Sequence, residues 1–513
     1  MTEYSTLAAV DLGSNSFRLQ VARVVGKQIY PLDNLGEMVR LAAGLTADKR
    51  LDEDSQTRAL DCLKRFGERL RGFPLHTVRA VGTNSLRVAK NAPAFLKKAE
   101  AALGFPIEVI AGREEARLIY LGVAHGLPVS SNNRLVVDIG GGSTEFIIGN
   151  RLKPVKLESL YMGCVSHSLR FFPDGKITKG AMKQAELAAR TEVQTIVAEF
   201  SADQWQDTFG SSGTARALGD ILKLNSFGDG SSSGDITAAG LENFRNYLLK
   251  VGDSKKLEIA GLRAERAPVI VGGFVIMSAI FSELGIHRLS PAMGALRQGV
   301  LYDLLGRFHN HDMREVTVRQ FMRRYQVDPA QAGRVESLAL TLAKQLLTGS
   351  PDELEDTLRI LSWAARLHEV GISVAHSGYH KHSAYILGNA DMPGFSKMEQ
   401  ARLSLLALAH RGALGKARDL VAELQDLKLL FALRLAALFH RSRSDIELPR
   451  LEIFLGDTEC ALRIESEWLE RNPLTDTALH TEVEEWATLG FDLRIIKNRP
   501  GAIQVHDSRA SNP

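Results

Sequence analysis

Asp11-Leu12-Gly13-Ser14-Asn15-Ser16 and Asp138-Ile139-Gly140-Gly141-Gly142-Ser143-Thr144 share one pattern: an acid, an aliphatic residue, glycine, then small residues ending in serine or threonine. Each follows an apolar run, Leu7–Val10 and Arg134–Val137, and precedes another, Phe17–Val25 and Glu145–Gly149. Strand, small turn, strand predicts a hairpin whose tip leaves backbone N–H groups exposed, and side chains this small let a phosphate come close to them. The Asp closing each first strand can hold a cation, usually through water when the ion is Mg²⁺. Because the pattern occurs twice, it predicts two related half-domains facing each other across a phosphate-bearing ligand.

The rest of the chain sets bounds on that reading. At 513 residues it exceeds what one core organises, so three or four domains are expected. Hydrophobic content of 45% with 24% charged residues is ordinary for a soluble globular protein, and a net charge of +3 carries no whole-chain signature of nucleic-acid binding. Cys62, Cys164 and Cys460 are scattered and odd in number, which suits a reducing compartment and argues against a disulfide frame or a Cys-rich zinc site. The N-terminus shows no basic stretch leading into an apolar one. The apolar run near Val269–Phe281 is too short to span a bilayer, so no integral membrane segment and a cytoplasmic location are expected.

Strand and helix signals alternate over 1–125, with a helix from Glu53 to Leu70, strands at Val78–Val81 and Ile107–Ile110, and helices at Ala94–Leu103 and Arg113–His125. Residues 126–310 repeat the theme: a hairpin, a third strand near Pro154–Glu158, a long helix over Thr178–Phe200, a strand ending at Phe209-Gly210 and a helix from Thr214. Asn225–Gly234 reads as a flexible loop. From 311 to 445 Leu, Ala and Arg recur at helical spacing, predicting an all-helical domain, and 446–513 predicts a small α+β domain.

Two further turns of small residues fall at strand ends, around Thr83 and at Gly210-Ser211-Ser212-Gly213-Thr214. One such turn is commonly only a turn; four after strands, two led by Asp, point to phosphate. Backbone N–H groups at a helix start favour an anion, and Arg87 is placed either to clamp phosphate oxygens or to sit solvated on a helix face. Glu114 and Glu115 open a helix after the Ile107–Ile110 strand. Acids there ordinarily complement the helix dipole, whereas the functional alternative aims one of them at the cleft to polarise a water. No G-x-x-x-x-G-K-[ST] loop and no H-E-x-x-H occur; Gly230–Gly234 matches G-x-S-x-G but lacks the flanking strand and helix. His368, Glu369, His376, His380, His382 and His410 raise a metal question without a standard ligand spacing, and arginines from Arg314 to Arg443 suggest either solvated faces or a basic channel.

Taken in order, Ala9–Phe17, Gly82–Arg87, Gly112–Arg117, Val137–Glu145, Met162–Ser166 and Gly210–Thr214 resemble the exopolyphosphatase and guanosine pentaphosphate phosphatase family. Leu367–Gly371 and His376–Leu387 look like the helical domain of its long members. The resemblance implies two actin-like (ribonuclease-H-like) α/β domains with the active site between them, then a helical domain related to the HD phosphohydrolases. Here His368-Glu369 stands where that superfamily has His-Asp, so the third domain is expected to bind polymer and build a homodimer rather than to cleave. By the same resemblance Glu115 is the base orienting water. Asp138 and Glu145, supported by Asp11, hold Mg²⁺. Ser14, Asn15, Gly141, Gly142, Ser143, Gly213 and Thr214, with Arg87, cradle phosphates. The expected reaction is processive release of orthophosphate from inorganic polyphosphate. Hydrolysis of the 5′-terminal phosphate of guanosine pentaphosphate (pppGpp) shares every motif and is the alternative. An actin-like kinase or ATP-binding protein is more remote; it would use Gly272-Gly273 as an adenosine-side turn, where tight helix packing is the plainer reading.

Overall fold

The computed structural model describes residues 6–25, 28–128, 130–227, 234–308, 312–418, 424–456 and 458–498. All but the last residue of the G-x-S-x-G match at 230–234, and most of the 225–234 loop, lie outside the described residues. Two compact units divide the chain: Met1–Met313 with Pro393–Lys397, and Arg314–Met392 with Met398–Pro513.

In the first unit, β1 (Thr6–Leu12), β2 (Phe17–Val25), β3 (Gln28–Glu37), β4 (Val78–Gly82) and β5 (Ile107–Val109) form a sheet ordered β3-β2-β1-β4-β5. β1 pairs antiparallel with β2 and parallel with β4. The pattern then repeats with β6 (Asn133–Ile139), β7 (Thr144–Asn150), β8 (Lys153–Leu160), β9 (Asp207–Ser211), β10 (Ile236–Thr237) and β11 (Arg288–Pro291), ordered β10-β11-β9-β6-β7-β8. β6 again pairs antiparallel with the next strand and parallel with β9.

β1 is central and buried on both faces, which is why Leu7–Val10 is apolar without alternation. Ala8, Val10 and Leu12 face a core built with Leu63 and Phe66 of the helix Glu53–Arg69. Leu7 and Ala9 face another, shared with Val136, Ile147 and Leu301. The helices Gly112–His125 and Leu296–Phe308 fill that second core and pack on each other.

Three elements differ from the sequence expectation. β3 carries Pro31, Asp33, Asn34 and Gly36, residues that speak against a strand; it forms because it is an edge strand, mostly exposed and bulged against β2. The long helix stops at Gln194, six residues short, and continues as turns to Phe200. The apolar run belongs to the helix Ala267–Leu284. Counted from Ala264, the segment is long and apolar enough to cross a membrane, contrary to the length argument above, but 78% of that window is buried as a core helix of the second half. Gly272 and Gly273 lie within it, packed on Cys164 and Ser168 and on Thr214; the adenosine-turn reading falls and the packing reading holds.

The second unit is helical, with Pro329–Leu346, Pro351–Leu367, Tyr379–Asn389 and Leu424–Phe439 among its helices, followed by β12 (Glu452–Leu455), β13 (Glu459–Glu465) and β14 (Asp492–Asn498) in one sheet. Arg434, 1% exposed, joins the two parts through both carboxylate oxygens of Glu482 at 2.7 Å. His368 and His410 are buried, their rings perpendicular at 4.9 Å. Each Nδ1 meets a carbonyl three residues back, Ala365 at 2.6 Å and Ala407 at 2.7 Å. Desolvation lowers the pKa of both and keeps them neutral. Glu369 is held by Arg443 at 2.5 Å. Among the described residues no group of three or more His, Cys, Asp or Glu is arranged to hold a metal ion, here or elsewhere.

Candidate active site

Both hairpin tips belong to the first unit, and they meet. A Cβ on Gly141 would lie 2.9 Å from Cβ of Ser14 and 3.1 Å from the Asn15 nitrogen, so only glycine admits this approach. The tips floor a cleft of about 120 Å³ lined by Asp11, Ser14, Asn15, Glu115, Asp138 and Gly141. Ser143 and Gly213 also reach it. Register puts partners opposite each acid: Arg18 faces Asp11 across β1–β2, and Glu145 faces Asp138 across β6–β7. The duplicated hairpins thus carry a cation in one half and a second carboxylate in the other.

Burial works against three of these acids, Asp11, Asp138 and Glu145. Desolvation raises Asp11 to about 7, with Glu115 adding to the rise and Arg297 opposing it. Asp138 rises to about 6, mainly by desolvation and partly offset by the Ser211 and Ser212 hydroxyls. Glu145, 1% exposed, is pushed well up by burial and by its neighbours Glu115 and Asp138. Oδ1 of Asp11 is buried without a hydrogen-bond partner. Clustered hard oxygen donors, one of them buried without a partner, suit Mg²⁺, which takes one or two carboxylates and completes its shell with water and substrate phosphate.

The two acids at the helix start have separate fates. Glu114 is locked in a buried network: it accepts from Arg117 at 2.7 and 2.8 Å and from the Gly394 N–H at 2.9 Å. Arg117 also reaches Asp303 at 2.5 Å, and Arg79 ties Asp303 at 2.7 Å to Glu108. Glu115, one position on, lines the cleft. Its Oε2 accepts from Arg87 at 2.7 Å, and the same guanidinium nitrogen donates to the Ile110 carbonyl at 2.9 Å.

Four expected residues stand just behind the lining. Arg87 grips Glu115 rather than facing the cleft. Glu145 accepts from Ser159 at 2.9 Å. Thr214 Oγ1 donates to the Ile139 carbonyl at 3.0 Å, bracing the strand that carries Asp138. Gly142 packs on Asn84.

The cleft also contains residues that motif reading did not name: Ser212 and a set of arginines, Arg18, Arg216, Arg266 and Arg297. Ser212 has φ 66, a left-handed conformation strained for a residue with a side chain, at the first residue of the helix Ser212–Leu224. A side chain at Gly213 would overlap the Arg266 guanidinium. Among the described residues no carboxylate lies within ion-pair distance of Arg18, Arg216 or Arg266. Desolvation and mutual repulsion lower Arg216, and Arg297 falls to about 10. Cations so crowded gain from an anion bound between them. Arg18 was recoverable from the hairpin register and Arg216 from its place one turn after Ser212. Arg266 and Arg297 carry no local signal; folding alone brings them in.

The Ppx/GppA phosphatase family profile matches residues 20–308, and that of Ppx/GppA phosphatase domain III matches residues 313–483. A protein of Pseudoalteromonas translucida (strain TAC 125), named guanosine-5′-triphosphate,3′-diphosphate pyrophosphatase, is 37% identical over 493 residues, 95% of this chain and 97% of that protein. One of the same name from Aeromonas hydrophila subsp. hydrophila is 36% identical over 494 residues, 96% and 98%. Among solved structures, an exopolyphosphatase from Cytophaga hutchinsonii is 24% identical with a TM-score of 0.52, over 58% of this chain and 97% of that one. An exopolyphosphatase-like protein is 23% identical with a TM-score of 0.54, over 59% and 98%. At that identity these structures bear on the fold alone, and the duplicated mixed sheet is consistent with the actin-like expectation.

Proposed function

This chain belongs to the Ppx/GppA phosphatase family, hydrolases of phosphoanhydride bonds, and from that premise we propose that its substrate is pppGpp, which it converts to ppGpp and orthophosphate. The observation that carries the choice is the pair of relatives at 36–37% identity along nearly their whole lengths, both named for that nucleotide. Sequence reading alone ranked inorganic polyphosphate first, on the fit through the helical domain; the relatives reverse the order.

The terminal phosphate lies at the joined tips, its oxygens on the backbone N–H groups around Ser14, Asn15, Gly141 and Gly213 and on Arg18, Arg216 and Arg266. Glu115, steadied by Arg87, accepts a hydrogen bond from a water and turns its lone pair toward phosphorus. The water oxygen forms the new P–O bond, the bridging P–O bond breaks in line with it, and Glu115 takes the water's proton. The leaving ppGpp departs as an anion beside the arginines. Little covalent work falls to the protein; orientation and charge neutralisation do most of it. Asp138 and Glu145 would hold Mg²⁺, directly or through water, with Asp11 supporting the region from the facing tip; when bound the ion supplies further neutralisation of the phosphate oxygens. The reading extends to a cytoplasmic homodimer.

The test is phosphate release with Mg²⁺ from pppGpp and from long-chain polyphosphate, at matched concentrations of ends. A kcat/KM at least about tenfold higher for the nucleotide is expected. A preference for polyphosphate by the same margin would restore the exopolyphosphatase reading.

A further inference from the structure

Beside the phosphate cleft the first unit contains a second, larger cavity of about 450 Å³, within the range of small-molecule sites. One wall is apolar: Val165, Leu169 and Phe172 of the helix Cys164–Phe171 and its continuation, with Pro268 and Val269 opposite. Two cationic side chains, Arg40 and Lys255, are exposed at its edge. Asn15 lines both spaces. It is 8% exposed, and its Oδ1 is buried without a hydrogen-bond partner.

The cavity is built on the same tips as the cleft. Arg40 N donates to the Asn15 carbonyl at 2.8 Å, and Ala42 N to the Ser14 carbonyl at 2.8 Å, so the loop on one side hangs from the first tip. On the other side Val165 N donates to the Gly141 carbonyl at 3.0 Å and Ser166 N to the same oxygen at 3.2 Å, so the helix on that side hangs from the second. A ligand held by its phosphates at the tips therefore has an apolar space in fixed register next to it. A phosphate polymer has nothing to bury there, whereas a nucleotide does.

We infer that this cavity receives the nucleoside of the substrate: the purine against Val165, Leu169, Phe172 and Pro268, a sugar hydroxyl on the unpaired Asn15 oxygen, and the 3′-diphosphate at Arg40 and Lys255. This rests on the pppGpp reading and adds to it the determinants of nucleotide choice.

The test compares pppGpp, GTP and tripolyphosphate on Leu169→Trp, which fills the cavity mouth from a half-exposed position, and on Arg40→Ala/Lys255→Ala, where both side chains are exposed. Leu169→Trp is expected to raise KM for pppGpp and GTP at least tenfold, while the inhibition constant of tripolyphosphate moves less than twofold. The double variant should raise KM for pppGpp at least fivefold relative to GTP. If Leu169→Trp does not fold, Pro268→Trp fills the same space from the exposed opposite side. Wild-type protein that fails to hydrolyse pppGpp overturns both readings. Wild-type protein that hydrolyses it, with KM for nucleotides unchanged in the tryptophan variants or tripolyphosphate weakened equally, overturns this inference alone.

Discussion

Glu114 and Glu115 sit about 100° apart around one helix, and that single step separates structure from chemistry. Glu114 turns inward to Arg117 and the Gly394 N–H, while Glu115 turns to the cleft with Arg87 on one oxygen. Glu115→Gln keeps the size and the Arg87 contact but removes the proton acceptor. Turnover should fall at least about 10²-fold, with the inhibition constant of tripolyphosphate within a few-fold of wild type; steady-state kinetics with that competitor reads both. Asp138 illustrates the energetic cost of such a site. Its carboxyl titrates near 6 in the folded chain, against 3.8 when unfolded. Below about pH 4 both states are protonated and nothing is lost. As pH rises toward 6 the unfolded chain ionises first, so stability falls, and above 6 the deficit is constant. In chelator, Asp138→Asn should therefore melt above wild type at pH 8, the gap closing as pH drops toward 4, while activity collapses. Mg²⁺ should raise the melting temperature of wild type more than that of the variant.

At the level of elements, the hairpins were legible because their signal is local: apolar strand, acid, small turn, apolar strand. β3 was not, since an edge strand is formed by its neighbour and tolerates the Pro and Asn that argue against it. The helix Cys164–Phe171 shows how an element supports the phosphate tips through its backbone. Its first N–H groups bond to the Gly140 and Gly141 carbonyls and hold the second tip. Midway along it His167 is buried with Nε2 unpartnered, and burial, helped by Arg170, pushes its pKa down to about 4. Unfolded, it titrates at 6.5. Between those values the unfolded chain binds the extra proton, so the contribution is complete above pH 6.5 and is lost as pH falls toward 4. His167→Gln should flatten the melting-temperature profile over that interval; a slope equal to that of wild type would assign the acid sensitivity to other groups.

On the scale of the whole molecule, chain connectivity matters where sequence distance would not suggest it. Pro393–Lys397 belongs to the first unit although the chain on either side lies in the second. From this segment Gly394 supplies a donor to Glu114, beside the proposed base. A chain ending at residue 313 leaves that buried carboxylate short of a hydrogen bond, a loss of about 1–3 kcal/mol. The unfolding transition that tripolyphosphate shifts should come several degrees lower in the truncated chain than in the full one, as read by calorimetry; equal midpoints would show the segment to be dispensable. The sequence alone pointed to the duplicated α/β halves, the helical region and the α+β tail, together with the two tips and their Asp11 and Asp138, because periodicity and turn chemistry are short-range properties. Spacing alone did not separate Glu114 from Glu115, a choice that only the family resemblance made; Arg87, expected on phosphate, grips Glu115 instead, and polyphosphate was ranked above the nucleotide. The meeting of the tips, the arrival of Arg266 and Arg297, and the apolar cavity beside them were decided only by tertiary structure. Each depends on which distant surfaces pack together, and no local pattern encodes the charge or the empty space that packing leaves between them.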